Sequence, residues 1–269
     1  DLTLELAKFY NIDRGTIGGK PGIIDKYAAV IIADPKRQFD EKDKLIIDQY
    51  IMNGGRVLWL AEEVNVNADS LLLGSTVALY EPLSFDDMLF RYGARINPVI
   101  IQDAECLLIP LRVDNPGGQP QYTPAPWVYY PLLRPSQDHP VTRNLNRVKA
   151  EFANSIDTVG RDKGVKKSIL LTTSGHTRTV MPPQVISLEE ADEMIPEELF
   201  TAGELPVAVL LEGTFRSVFT NRMTESIIGD AGRHIIEVSK PTKMIVVADG
   251  DIIRNEVSSN GGAPEPLPL

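Results

Sequence analysis

Ala28-Ala29-Val30-Ile31-Ile32-Ala33, closed by Asp34-Pro35 and followed across a helical pattern by Gly54-Gly55-Arg56-Val57-Leu58-Trp59-Leu60-Ala61, is the stretch on which the expected fold turns. Its first run is short and continuously apolar, the pattern of a strand buried on both faces of a parallel sheet. Asp40 is placed to cap a helix whose first turn carries Glu41 and Asp43, favourable beside the positive end of the helix dipole. Ile46, Ile47, Tyr50 and Ile51 form the apolar stripe of that helix, and Gly54-Gly55 ends it. Residues 56–61 then return as a second strand. The unit reads as a right-handed βαβ crossover, which implies a parallel sheet with helices on its faces.

Outward from this unit, further buried strands are expected at 99–102, 107–113, 168–172, 207–211 and 244–248. A short helix is expected over 85–92, between Ser84 as cap and Gly93 as C-terminal glycine. Residues 110–140 hold eight of the 20 prolines, together with Trp127 and the Tyr129-Tyr130 pair, so neither helix nor central strand fits there. An ordered arm over the sheet, held by its aromatics, is expected instead. The acidic stretch 182–206 opens on Pro182-Pro183, is interrupted by Pro196, and reads as short surface helices or a loop. The expected organisation is therefore an α/β core over 1–109, a Pro/aromatic arm over 110–165, a second part of the core over 166–257 with the acidic insertion, and a frayed Gly/Pro-rich tail over 258–269. The start lacks an initiator Met and reads as a helix under way, with Leu2, Leu6 and Phe9 on one face, as in a piece of a longer protein. No apolar run reaches the roughly 18–20 residues of a membrane helix.

The chain has 27 Lys+Arg against 37 Asp+Glu, a net charge of -10, which repels a polyphosphate backbone and argues against a nucleic-acid partner. That charge is local. No Lys or Arg occurs between Arg178 and Arg216, where Glu189, Glu190, Asp192, Glu193, Glu197, Glu198, Glu204 and Glu212 fall. Cys106 is the single cysteine, so an internal disulfide and a Cys-based metal site are both excluded.

Three near-motifs fail on chemistry. Gly15-Thr16-Ile17-Gly18-Gly19-Lys20 lacks the Ser/Thr after its lysine and the first glycine of a phosphate loop. Ser174-Gly175-His176 follows a strand without the Gly-x-Ser-x-Gly elbow that projects a nucleophile. Cys106 has an apolar C-terminal flank, no glycines and no adjacent histidine, so it reads as a structural thiol. His139, His176 and His234 are scattered and give no metal spacing. Neither a cofactor nor a catalytic residue is expected.

Oxygen ligands are better placed. Asp34, Glu62, Glu212 and Asp249 each follow an expected strand, with Asp251 two residues beyond Asp249, and in an open parallel sheet such ends gather along one edge. Asp34, Glu62, Asp249 and Asp251 are thus a candidate site for a cation or a hydroxylated ligand, against the plainer reading of turn formers and caps. Two interaction surfaces are candidates beside it. One is the arm at Trp127, Tyr129 and Tyr130; the other is the acidic segment at Glu189, Glu190, Asp192 and Glu193.

The order of certain pieces is similar to a known family. These are Tyr10-Asn11-Ile12-Asp13-Arg14-Gly15, Asp48-Gln49-Tyr50-Ile51-Met52-Asn53-Gly54-Gly55, Pro126-Trp127-Val128-Tyr129-Tyr130-Pro131, Glu151-Phe152-Ala153-Asn154-Ser155-Ile156-Asp157 and Val246-Val247-Ala248-Asp249-Gly250-Asp251-Ile252-Ile253-Arg254-Asn255. Together they resemble the GldG-type gliding-motility ABC-transporter auxiliary proteins of Bacteroidetes. The resemblance implies a non-enzymatic domain on the periplasmic side of the inner membrane of a Gram-negative bacterium, anchored through segments outside this chain. It implies an ABC permease and a separate ATPase as partners, with an envelope protein or exported substrate also in reach. It further implies a parallel three-layer α/β sandwich similar to class I glutamine-amidotransferase-like or flavodoxin-like domains, although the glycine-flanked nucleophilic cysteine of amidotransferases is lacking here. The alternative function is a carbohydrate- or cation-binding domain, or a hydrolase, using the strand-end carboxylates.

Overall fold

The computed structural model describes residues 2–71, 73–113, 121–160, 164–192, 195–222, 235–254, 257–258 and 265–266. In chain order the elements are α1 (Leu2–Ala7), β1 (Ala29–Ala33), α2 (Glu41–Met52), β2 (Arg56–Leu60), β3 (Val64–Asn65), α3 (Ala68–Leu71), β4 (Ser75–Tyr80), α4 (Asp86–Tyr92), β5 (Ala94–Asn97) and β6 (Ile100–Asp103). There follow β7 (Cys106–Val113), β8 (Gln121–Pro135), β9 (Val148–Lys149), β10 (Ser155–Thr158), β11 (Val165–Thr172), β12 (Thr177–Val180), β13 (Gln184–Ser187), β14 (Pro206–Gly213) and β15 (Thr242–Val247). Short 3-10 turns at Leu188–Asp192 and Glu197–Leu199 occupy the acidic stretch.

The βαβ unit is present. Asp40 caps α2 by accepting from the Asp43 N–H at 2.7 Å, and β1 pairs parallel with β2 from Ala29 opposite Arg56 to Ala33 opposite Leu60. The parallel three-layer sandwich is not. The main sheet runs β1-β2-β15-β14-β11-β8-β7 with β9 attached to β8, a mixed and curled sheet in a mostly β protein. Among the described residues of this sheet, β1, β2 and β15 pair in parallel and the pairings beyond them are antiparallel.

Side-chain alternation shows why. From β2, β14 and β15, Val57, Trp59, Val209, Leu211, Met244 and Val246 join the α2 and α4 side chains in one core. Leu60, Val207, Ala208, Leu210 and Val247 join a second core on the opposite side. That second core is closed by Ile101, Leu133, Ala150, Ala153 and Leu170, from strands and connecting segments, where a three-layer sandwich would have helices. A third core holds Val64, Ala78, Trp127, Tyr129, Phe152 and Ile186, beneath a small sheet of order β13-β4-β3.

The proline-rich segment departs from expectation too, because residues 110–113 and 121–135 are strand. β8 is 15 residues long and pairs with β7, with Pro110 facing Pro124 and Leu108 facing Pro126. Antiparallel pairs alternate between hydrogen-bonded and non-hydrogen-bonded, and two facing prolines can occupy only the second kind. Pro110, Pro124 and Pro126 all share that parity, so the ladder loses no bond to them. Near the base of the ribbon the register slips: Leu107 faces Trp127 but Cys106 faces Pro131, leaving residues 128–130 as an extra loop of strand. The tail expected to fray lies mostly outside the described residues, although Val257–Ser258 pairs with Glu265–Pro266.

Candidate functional site

The carboxyl ends of β1, β2 and β15 lie side by side, and four expected carboxylates meet there. Asp34 follows β1 with φ +44° and donates its N–H to the Leu60 carbonyl at 2.9 Å, which turns the chain across the sheet edge. Glu62 accepts from the Gly250 N–H at 3.0 Å, tying the end of β2 to the end of β15. A Cβ on Gly250 would lie 3.1 Å from the Asp34 Cα, Cβ and Oδ1, so the close approach of the two turns depends on glycine at this position. Asp249 is fully buried and accepts from the N–H groups of Glu151 at 2.9 Å and Asp251 at 2.8 Å. Asp251 faces Arg254 at 3.5 Å.

Lys36 completes the group, and sequence reasoning missed it. Its ammonium lies 2.5 Å from Asp34 Oδ1 and 3.9 Å from Glu62 Oε1. Lys149, at the end of β9, and Glu151 just after it, paired at 2.8 Å, border the site. The only sequence signal for Lys36 is its place in the turn after Asp34-Pro35.

Crowded carboxyls in a partly dry site hold protons more tightly. Burial, with help from Asp251 and Asp34 and against the Gly250 N–H, pushes Glu62 up to about 7. Burial and the nearby Glu62 push Asp249 well above the carboxylate range, and burial raises Asp251. Burial works against the Lys36 ammonium, but Asp34, Glu62 and Asp251 outweigh it and hold the group charged. The arrangement can carry a proton near neutral pH beside a fixed cation, a donor and acceptor set suited to hydroxyl groups. Among the described residues, no group of three His, Cys, Asp or Glu side chains is arranged to hold a metal ion. Glu212 stays apart because β14 runs antiparallel to β15, which sets Glu212 opposite Lys243 at the other end of the sheet.

The two interaction candidates are joined to each other. Trp127 and Tyr129 are 1% and 0% exposed and packed on one another, Tyr129 also on Phe152, so neither offers a surface to a partner; Tyr130 is half-buried against Phe152 and Lys149. These aromatics cover the protein's own core. Tyr129 Oη donates to Glu190 Oε2 at 3.0 Å, and burial followed by that carboxylate raises the phenol. Glu190 also accepts from the Ser187 N–H at 3.0 Å, so it anchors the acidic segment, while Glu189 is exposed. Asp192 ends the 3-10 turn, and Glu193 lies outside the described residues.

The rejected motifs have structural occupations. The Gly19 N–H donates to Asp43 Oδ1 at 2.7 Å, so it is committed to a carboxylate of this chain. Ser174 is buried and its Oγ donates to Asp103 Oδ1 at 2.5 Å, while the His176 side chain is exposed and only its backbone N–H meets Ser174. Burial, then Asp103, pushes the half-buried Cys106 thiol up, away from reactivity.

Comparison with known proteins adds what the geometry lacks. The model of the ABC-type uncharacterized transport system family matches residues 1–268. The chain belongs to that family. Its role is accordingly an accessory one in an ABC-type transport system, in agreement with the broad sense of the resemblance in its motifs. A solved structure of the mmIFT52 N-terminal domain is similar over 93% of this chain and 78% of its own, with 11% identity and a TM-score of 0.47, a likeness too loose to argue from. No curated protein matches the chain. Among the described residues no helix is long and apolar enough to cross a membrane.

Proposed function

We propose that this chain is a non-enzymatic, extracytoplasmic domain of a membrane-anchored accessory subunit, working with an ABC permease and a separate ATPase on the periplasmic side of an inner membrane. The observation that carries the reading is the family match along the whole chain. The internal hydrogen bonds of Ser174 and the Gly19 amide and the raised Cys106 thiol support the non-enzymatic part, because the three stretches nearest to a catalytic or phosphate-binding motif have structural occupations. The motif resemblance favours a process of the gliding-motility type. Affinity purification of the full-length parent from membranes tests the proposal: a permease and an ATPase subunit should co-purify at near-equal amounts, and recovery of neither overturns it.

One observation favours a second reading, a polar-ligand site at the sheet edge. Asp34, Glu62, Asp249 and Asp251 do gather, and they gather around Lys36. A carbohydrate with vicinal hydroxyls suits such alternating donors and acceptors. Titration calorimetry with neutral oligosaccharides, on the parent and on Lys36→Met, separates the readings: binding that Lys36→Met abolishes supports the site, and no heat with any sugar removes it.

A further inference from the structure

β4 and β13 pair antiparallel with Val77 directly opposite Val185. Along β4, Thr76 and Ala78 point into the third core while Ser75, Val77 and Leu79 point out. Val77, Leu79 and Val185 are 48%, 48% and 59% exposed on the outer face of the small sheet. Leu73, 91% exposed, sits at one end, next to Gly74, whose carbonyl accepts from the Leu188 N–H at 3.0 Å. Scattered exposed aliphatics are ordinary, but a cross-strand pair with a third side chain beside it on the same face is a patch.

The strands that carry the patch come from acidic stretches of the chain. β3 and β4 come from residues 57–90, which contain no Lys or Arg and six Asp or Glu; β13 comes from residues 179–215, which contain none and eight. These are the two longest stretches of the chain without a basic residue, and the fold pairs them with each other. Glu81 directly follows β4, and Glu189, two residues beyond β13, is exposed.

We propose that the outer face of the β3–β4–β13 sheet docks a basic amphipathic segment of another protein, its aliphatic side chains on Val77, Leu79 and Val185 and its Lys or Arg side chains reaching the flanking carboxylates. A second copy of this chain is disfavoured, because two such surfaces would oppose like charges, and three aliphatic side chains fall far short of the roughly 800 Å² per partner of a stable interface. Anionic lipid and nucleic acid meet the same repulsion. Docking uses the face and not the edge of β13. The Ser187 N–H is taken by Glu190 at 3.0 Å and the Val185 carbonyl by the Gln184 amide at 2.7 Å, which leaves little for an added strand. This surface goes beyond the accessory-subunit reading and does not depend on it.

Methyl-resolved NMR of the whole chain, titrated with a synthetic Leu/Lys amphipathic peptide, tests the proposal. The Val77, Leu79 and Val185 methyls should shift in a saturable way, and the combined Val77→Thr, Leu79→Thr, Val185→Thr variant should bind about tenfold or more weakly. Threonine keeps the β-branch of the two valines and favours strand at position 79, and should the triple variant fail to fold, Val185→Thr alone is read through the Val77 and Leu79 methyls. A Leu/Glu peptide of the same pattern should not bind. Shifts centred elsewhere, such as on Leu4 or Ile31, unchanged affinity in the variants, or equal binding of the Leu/Glu peptide each overturn the assignment.

Discussion

At one end of the main sheet β1, β2 and β15 run parallel and finish together in carboxylates; at the other, β7 and β8 run antiparallel and carry prolines within the strands. The parallel end keeps its strands apolar and moves its polar groups beyond their ends, where backbone N–H groups and Lys36 receive them. The antiparallel end tolerates awkward residues inside its strands by setting them at ladder positions that form no hydrogen bond. Polar and restrictive residues are thus handled by position along the chain in one case and by parity against a partner in the other.

The largest test of this contrast is Trp127→Ala. If the ribbon base is core and not an applied arm, the substitution should cost about 3–5 kcal/mol in urea unfolding, as for other buried aromatics. A loss below about 1 kcal/mol would return the aromatics to a peripheral role. Next is Glu62→Gln. A carboxyl whose folded value of about 7 lies above the ordinary 4.5 stabilises the fold only while protonated, so the parent should lose stability as pH rises from about 4.5 through 7. The variant should lack Glu62's share of that slope, on the order of 2 kcal/mol between pH 5 and pH 8. Equal slopes in the two proteins would mean that the strand-end carboxyls are well solvated. Gly250→Ala should cost about 1–2 kcal/mol, because its Cβ forces the Asp34 turn aside. The same change should leave the ribbon's hydrogen-exchange protection untouched; a loss there would erase the independence of the two ends. The smallest effect belongs to Tyr129→Phe, about 1 kcal/mol for one hydrogen bond, with faster exchange at the Ser187 amide as Glu190 loses an anchor.

Legibility in the sequence follows the same divide. The βαβ unit was readable because its signals are local: an apolar run, a capping aspartate and a glycine stop within about 35 residues. Asp34, Glu62 and Asp249 were readable as a group because each follows such a run, with Asp251 two residues beyond Asp249, and Lys36 was not, since its position depends on a turn folding back over the edge. The parallel sandwich rested on the family resemblance and on that one unit, and neither speaks to the later strands. What overturned it lies in long-range pairings, such as β13 with β4, whose short strands stand more than 100 residues apart and carry no local mark of one another. The prolines were misread because composition reveals their number while only the partner strand reveals their parity. The aromatics beside them sit where β8 gains three residues on β7, an offset without any local mark.

That parity has a consequence for the protein in solution. Residues of a non-hydrogen-bonded pair direct their backbone N–H groups away from the partner strand, toward the outer margin of the hairpin. A proline there removes a donor from the margin and leaves the interior ladder whole. Pro110 does this on the β7 side and Pro124 and Pro126 on the β8 side, so both flanks of a long, aliphatic ribbon are poor templates for a stranger's strand. A hairpin of this length without them would have the makings of an amyloid seed. The residues that disguised the ribbon in the sequence are those that guard it against aggregation.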